Sequence, residues 1–173
     1  MSKIPVIIVD YDPAWPGLFN TLKSSVEMSL GEVALSIEHV GSTSVPGLAA
    51  KPIIDMDVIV RAEDLGKATA LLANIGYVHD GDGGIPGRER FRPPTGLPKH
   101  HLYVCAADNP ELKHHLQFRD YLRAHPDAAA EYGLLKKHLA AVYGDDREGY
   151  SVAKTEFITT ILSRCSYFCG ALL

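Results

Sequence analysis

Residues Ile37 to Val60 read IEHVGSTSVPGLAAKPIIDMDVIV, and this stretch decides the fold. It parses as a strand from Leu35 to Val40, a Gly, Ser and Thr-rich turn from Gly41 to Ser44, a Pro/Gly loop, and a second strand around Asp55-Met56-Asp57. Side chains alternate across a strand, so Ile54, Met56, Val58 and Val60 form an apolar face while Asp55 and Asp57 project together from the other. Two carboxylates on one strand face repel each other. A divalent cation, most naturally Mg²⁺ or Mn²⁺ in its place, relieves that repulsion when held with waters and phosphate oxygens. Gly41 lets the backbone approach a ligand closely, and the N–H groups and hydroxyls of Ser42, Thr43 and Ser44 are donors for phosphate. A triphosphate lying between turn and metal is the expected ligand.

A Gly-Ser turn, twelve residues from Thr43 to Ile54, then Asp-x-Asp on a strand resembles the signature of the nucleotidyltransferase superfamily, whose members transfer a nucleotidyl group from a nucleoside triphosphate using two metal ions. The longer string HVGSTSVPGLAAKPIIDMDV is closer still to the GrpB family (UPF0157), a branch of that superfamily. The likeness extends to Tyr11-Asp12-Pro13-Ala14-Trp15, Gly76-Tyr77, Gly84-Ile85-Pro86-Gly87-Arg88, His100-His101-Leu102, the run from Phe118 to Arg123, and Lys154-Thr155-Glu156-Phe157-Ile158. The resemblance implies an α/β (α+β) fold: a minimal nucleotidyltransferase-like mixed sheet flanked by helices, with a helical C-terminal portion, in one domain over residues 1–173. It implies a metal-dependent nucleotidyltransferase acting on a nucleoside triphosphate and an acceptor that the sequence does not identify. The family also resembles a domain fused behind dephospho-coenzyme A kinase in some bacteria. That implies, as the alternative, a non-catalytic module that binds a nucleotide or phosphorylated metabolite, or one that supports a protein partner.

On this reading Asp55 and Asp57 hold the metal and Gly41 to Ser44 cradle the phosphates. Lys51 at the mouth of the loop and Arg88 or Arg90 offset charge on the pyrophosphate leaving group. In the nucleotidyltransferase fold a third carboxylate commonly comes from a later strand, but no acid stands between Lys99 and Ala107. His101 is the candidate in its place, as metal ligand, proton acceptor or hydrogen-bond partner of Asp55 or Asp57. The family pattern there is His-x-His; Tyr103 occupies the second position, on the same strand face as His101.

Other phosphate and nucleophile motifs fail by register. A Walker loop starting at Gly41 needs Gly and Lys where Pro46 and Gly47 stand, and neither G-x-G-x-x-G at a strand-helix turn nor G-x-S-x-G occurs. With 173 residues, 46% of them apolar, the chain is long enough to bury a real core. A net charge of −4 gives no global attraction to nucleic acid or anionic membranes, although a local basic patch stays open, and it selects no partner; the nucleoside triphosphate or other phosphorylated small molecule is expected from the turn and the paired aspartates. No stretch approaches the ~20 apolar residues of a membrane span, and the N-terminus lacks a basic region followed by a long apolar run, so a cytoplasmic protein is expected. The three cysteines, Cys105, Cys165 and Cys169, form no C-x-x-C pair and read as core or surface thiols; Cys165 and Cys169, one helical turn apart, do not make a zinc site.

Elsewhere the pattern predicts a short strand over Val6 to Val9 and a helix begun by Asp12 and Pro13. In that helix Trp15, Leu18, Phe19, Leu22 and Val26 recur at helical spacing, and Tyr11 and Trp15 read as core rather than as a base-stacking pair. A helix from Ala62 to Ile75 and a strand at Tyr77-Val78 follow. Gly81 to Gly87 then forms a mobile loop, a candidate lid, before the basic strand Arg88 to Arg92, whose arginines bind phosphate or form a solvated face with Glu89 as partner. After the Lys99 to Cys105 strand, helices are expected from Asn109-Pro110, from Asp127, and as one last helix from Arg147. On these, Arg119 and Arg123 read first as structural ion pairs, or else reach a phosphate with Lys154. His114 and His115 read as solvent-facing.

Overall fold

In the computed structural model, which describes residues 5–170 and side chains as far as residue 165, five strands form one sheet. They are β1 (Ser36–Val40), β2 (Ile54–Val60), β3 (Val78–His79), β4 (Arg88–Arg92) and β5 (His100–Ala106), ordered β1-β2-β5-β4-β3. β2 and β5 run parallel at the centre and the other pairs are antiparallel, so the sheet is mixed. Helices α1 (Trp15–Leu30) and α2 (Leu65–Asn74) cover one face. Trp15, Phe19, Leu22, Val26 and Leu30 of α1 recur every three or four residues and pack with Ala68 and Leu72 of α2 on Ile54, Met56, Val58, Leu102 and Val104. Each such buried side chain contributes about 1.5–3 kcal/mol relative to exposure.

One polar pair is sealed into this layer. His100 directs Nδ1 to the Pro98 carbonyl at 2.7 Å, and its Nε2 accepts from the Tyr77 hydroxyl at 2.8 Å. Tyr77→Phe would leave a buried acceptor without a donor, and the expected cost is about 1–3 kcal/mol in a urea melt at pH 7. An unchanged midpoint would show that the pair carries no stability.

The second face is covered only in part. Helix α3 (Pro110–Ala124) starts where expected: Asn109 Oδ1 accepts from the backbone N–H groups of Glu111 and Leu112, and Pro110 opens the first turn. It seats Leu112 against Ile59 and Cys105. Helices α4 (Pro126–Tyr143), α5 (Arg147–Ala153) and α6 (Thr155–Gly170) complete the C-terminal portion. The loop between β1 and β2 is core: Val45 and Leu48 pack against Leu122, Ala129 and Tyr132, which fastens the Gly41 turn to the helices.

Several expectations need correction. Val6 to Val9 forms only an isolated bridge, Val9 to Ala50, because Val6 instead donates its N–H to Gly144 and packs on Leu139 and Tyr150. Helix α1 begins at Trp15; Asp12 Oδ1 caps a preceding turn by accepting from the N–H of Ala14. The last helix is two helices broken at Lys154, the residue that lines the site described next. Cys165 is half-buried with its Sγ 3.9 Å from the Gln117 carbonyl, whereas the Cys169 side chain lies outside the described residues.

Candidate functional site

Asp55 and Asp57 share one sheet face, as alternation requires, and their neighbours follow from strand register. Glu38 of β1 lies opposite Asp57, while His101 and Tyr103 of β5 lie beside Asp55 and Asp57. The two aspartates differ in environment. Asp55 is 30% exposed and its Oδ1 accepts from His101 Nδ1 at 2.8 Å. Asp57 is fully buried; its Oδ2 accepts from His115 Nδ1 at 2.7 Å and its Oδ1 has no partner. The expectation of a solvent-facing His115 is therefore overturned: three residues beyond Leu112, it lies on the buried stripe of α3 rather than off it. Glu38 is held by Arg119 at 2.7 Å, and Arg119 also donates to the His39 carbonyl.

These contacts set the histidines. The hydrogen bond to Asp55 is the main cause that raises the His101 pKa above its usual value. For His115, burial opposes protonation, but the Asp57 hydrogen bond and the charges of Asp57, Asp55 and Glu111 outweigh it and raise its pKa. Burial and the charge of Arg123 push His39 the other way, to about 4.

The Gly41 turn is built to hug Asp55. Gly41 has φ +70 and ψ −175, and a Cβ there would fall 2.3 Å from Asp55 Oδ2. After it, Ser42–Ser44 makes one 3₁₀ turn. Two of its three hydroxyls serve the turn itself. Ser44 Oγ donates to the Gly41 carbonyl at 2.6 Å, and Thr43 Oγ1 donates to Ile53 while accepting from His39 Nε2. Ser42 Oγ accepts from Lys136 Nζ at 2.8 Å, which leaves its own proton free for a ligand.

Beside this turn lies a cavity of about 200 Å³ lined by Ser42, Thr43, Lys51, Asp55, His101, Lys136, Tyr150 and Lys154, among others. Lys51 and Lys154 each place Nζ 4.6 Å from the centre of the Tyr150 ring. Among the described residues no carboxylate comes within ion-pair distance of these three lysines. Burial lowers all three pKa values, with Lys154 adding to the shift at Lys136, Lys51 to that at Lys154, and Arg147 to that at Lys51. Lys136, 3% exposed, falls to about 7. The Asp55 charge opposes these shifts without cancelling them, so ammonium groups held low by burial and like charge gain from an anion bound beside them.

Because the folded-state pKa of Lys136 lies below its unfolded value of 10.5, this residue takes stability away as pH falls from there towards about 7. Lys136→Met should stabilise the ligand-free protein by about 1–4 kcal/mol, seen as a higher denaturant midpoint at pH 7. A lower midpoint would mean that its bonds to Ser42 and the Ala49 carbonyl outweigh the buried charge.

Of the residues expected at the site from sequence, Asp55, His101, Ser42, Thr43 and Lys51 come together around this cavity, with Gly41 against Asp55 and Asp57 behind it. Ser44 faces away into its own turn. Arg88 and Arg90 do not line the cavity: Arg88 stacks on Tyr103 and Arg90 pairs with Asp80. Arg119 and Arg123 do not line it either, Arg119 pairing with Glu38 and Asp120 and Arg123 holding the Ser44 carbonyl at 3.0 Å, whereas Lys154 does reach the site. Sequence reasoning missed Lys136, Glu38 and Tyr150. A lysine four residues after Tyr132 on the buried stripe of α4 was the available signal for the first.

Among the described residues no group of three or more His, Cys, Asp or Glu side chains is arranged to hold a metal ion by itself, and no helix is long and apolar enough to cross a membrane. The sheet with its Gly-Ser turn and paired aspartates defines a nucleotidyltransferase-like fold, and comparison with solved structures bears this out. Cid1 poly(U) polymerase superimposes with a TM-score of 0.54 at 13% identity, over 78% of this chain and 43% of that one, and the likeness is one of fold. Residues 5–164 match the model of the GrpB protein family, and the chain belongs to that family. The crystal structure of GrpB from Enterococcus faecalis agrees with a TM-score of 0.83 at 39% identity, covering 94% of this chain and 99% of that one. The UPF0157 protein YqkA of Bacillus subtilis is 40% identical over 159 residues, which are 91% of this chain and 46% of that protein, so the chain spans under half the length of this relative. A dephospho-CoA kinase of Mycolicibacterium paratuberculosis is 26% identical over 181 residues, 44% of its length.

Proposed function

We propose that the protein binds a nucleoside triphosphate through its phosphates in the lysine-lined cavity and transfers the nucleotidyl group to an acceptor hydroxyl. The observation that carries this reading is the convergence of Lys51, Lys136 and Lys154 on one small cavity beside Asp55, whose carboxylate pairs with His101 and offsets the lysine charges only in part. In the reaction the acceptor oxygen bonds to the α-phosphorus, the bond from that phosphorus to the bridging oxygen breaks, and pyrophosphate leaves. The acceptor proton passes to His101 Nε2 when the imidazole is neutral, Nδ1–H being oriented by Asp55. The lysines and the free Ser42 hydroxyl hold charge on the departing pyrophosphate.

The residues fit a divalent ion. Asp57 Oδ1 is a buried carboxylate oxygen without a partner, and Asp55 stands half open beside it. Mg²⁺ characteristically takes only one or two carboxylates, completing its shell with water and substrate phosphates, so Asp55 and Asp57 suffice as protein ligands for Mg²⁺ or Mn²⁺. When bound, such an ion polarises the phosphates and lowers the pKa of a coordinated hydroxyl.

A second reading has its own support. His101, His115 and Arg119 already pair with Asp55, Asp57 and Glu38, and β5 carries no acid, which suits a module that binds a phosphorylated ligand without turnover. The relative named dephospho-CoA kinase makes a coenzyme A precursor a sensible ligand to try under that reading, and a protein-supporting role the alternative if no ligand is found.

Calorimetry with inorganic tripolyphosphate tests the anion cavity common to both readings. Binding at pH 8 should draw about one proton from the buffer as Lys136 is recharged, and the uptake should fade towards pH 6, where Lys136 is already protonated. Lys154→Gln should weaken binding about tenfold. Heats independent of the buffer, with affinity unchanged in the variant, would remove the lysines from the site.

A further inference from the structure

Only two buried side-chain polar atoms among the described residues lack a hydrogen-bond partner, Asp57 Oδ1 and Arg88 Nε. Buried polar groups are nearly always satisfied, so two exceptions in one place call for an explanation. Both border the same side chain. Tyr103 is the register partner of Asp57 on one side and of Arg90 on the other, and the Arg88 guanidinium lies over its ring, 4.6 Å from the centre.

Charge in this region is unbalanced. Alternation along β4 puts Arg88, Arg90 and Arg92 on the Asp57 face and sends Glu89 to the opposite face, where it bonds His79. Glu89 is therefore no partner for the arginines. Asp80 pairs with Arg90 at 2.9 Å and lies 3.8 Å from Arg92, and no carboxylate among the described residues pairs with Arg88. Gly83 passes so near that a Cβ on it would lie 3.0 Å from Arg88 Nη2, so the glycine keeps space beside the guanidinium. A planar guanidinium stacked on an aromatic ring, with a donor to spare, is suited to a two-oxygen grip on an oxyanion. These arginines lie across β5 from the lysine cavity, with His101 at the junction, since it borders the cavity and senses both Lys51 and Arg90.

We infer that Arg88 and Arg90, over Tyr103, form a second anion site that receives the acceptor by a phosphate or carboxylate group it carries. That the occupant is the acceptor rests on the transferase reading above; that an oxyanion binds here does not. The arginines thus serve the second substrate, and the leaving group is left to the lysines.

The Arg88 Nε–Hε resonance of ¹⁵N-labelled protein reports the site directly, and Arg88→Lys identifies it by its disappearance. With the lysine cavity filled by inorganic tripolyphosphate, inorganic phosphate and acetate are titrated separately against chloride at matched ionic strength. The resonance should shift saturably with at least one of the two, which names the class. Affinity should fall about tenfold in Arg90→Gln, with its fold checked by melting, and persist in Lys154→Gln. No shift beyond that of chloride, or a shift that tripolyphosphate abolishes, would overturn the inference. A saturable shift in a protein that does not bind tripolyphosphate would keep the arginine site and remove the triphosphate reading.

Discussion

Gly41→Ala is expected to destabilise the protein by about 2–6 kcal/mol and to abolish tripolyphosphate binding. Two costs combine. The backbone at φ +70 and ψ −175 belongs to a region populated essentially by glycine alone, where any other residue is strained by about 1–3 kcal/mol. The new methyl would also sit 2.3 Å from Asp55 Oδ2, so either the carboxylate or the turn must move, and forced repacking of this kind costs about 1–3 kcal/mol more. Because the same turn carries Ser42, which accepts from Lys136, any displacement spreads to the anion cavity. Denaturant melts and calorimetry on the variant check both halves. A variant as stable as wild type with normal binding would show that the close approach of Gly41 to Asp55 has no role.

Asp57→Leu should be strongly pH-dependent in its cost. His115 has a raised pKa in the folded protein because of its carboxylate partner, so the pair contributes its full stability below the ordinary histidine value near 6.5 and loses it as pH rises through the folded-state value. Removing the carboxylate leaves an uncompensated, largely buried imidazolium at low pH, at a cost of about 3 kcal/mol near pH 5.5. As pH rises through the folded-state value towards 9, His115 gives up its proton and the penalty should shrink. The double variant Asp57→Leu/His115→Leu should recover most of the low-pH loss, since apolar side chains replace a buried pair without leaving a charge behind. Melts in chelator at the two pH values decide the matter; an equal penalty at both would mean that Asp57 stabilises the fold through something other than its ion pair with His115.

The parts of the site that were legible in sequence are those set by local geometry. Alternation in β2 paired Asp55 with Asp57 on one face and buried Met56 and Val58 on the other, and a Gly-Ser turn before it implied close backbone approach. Glu38 and His115 depend instead on which strand and helix come to lie beside β2, and chain order does not reveal that. Lys136 looked like an ordinary helix lysine because its burial is created by the β1–β2 loop: Val45 and Leu48 pull that loop onto α4, and Lys136 then bonds the Ala49 carbonyl. Alternation along β4 gathers its arginines on one face, which suits phosphate or solvent alike. Register carries them past Tyr103 and away from the lysine cavity, a displacement that strand order determines and periodicity cannot.

The most direct test of the central claim is a thermal-shift titration of the protein against the four nucleoside triphosphates and coenzyme A precursors, each with and without Mg²⁺, beside Asp55→Asn. A ligand at a hundredfold excess over its dissociation constant stabilises the folded state by about 2.7 kcal/mol, well within detection. A shift is expected with at least one nucleoside triphosphate, growing when Mg²⁺ is added and losing its Mg²⁺-dependent part in Asp55→Asn, whose own melting temperature stays near that of wild type. No shift with any triphosphate, or one that Mg²⁺ and Asp55→Asn leave unaltered, would contradict it.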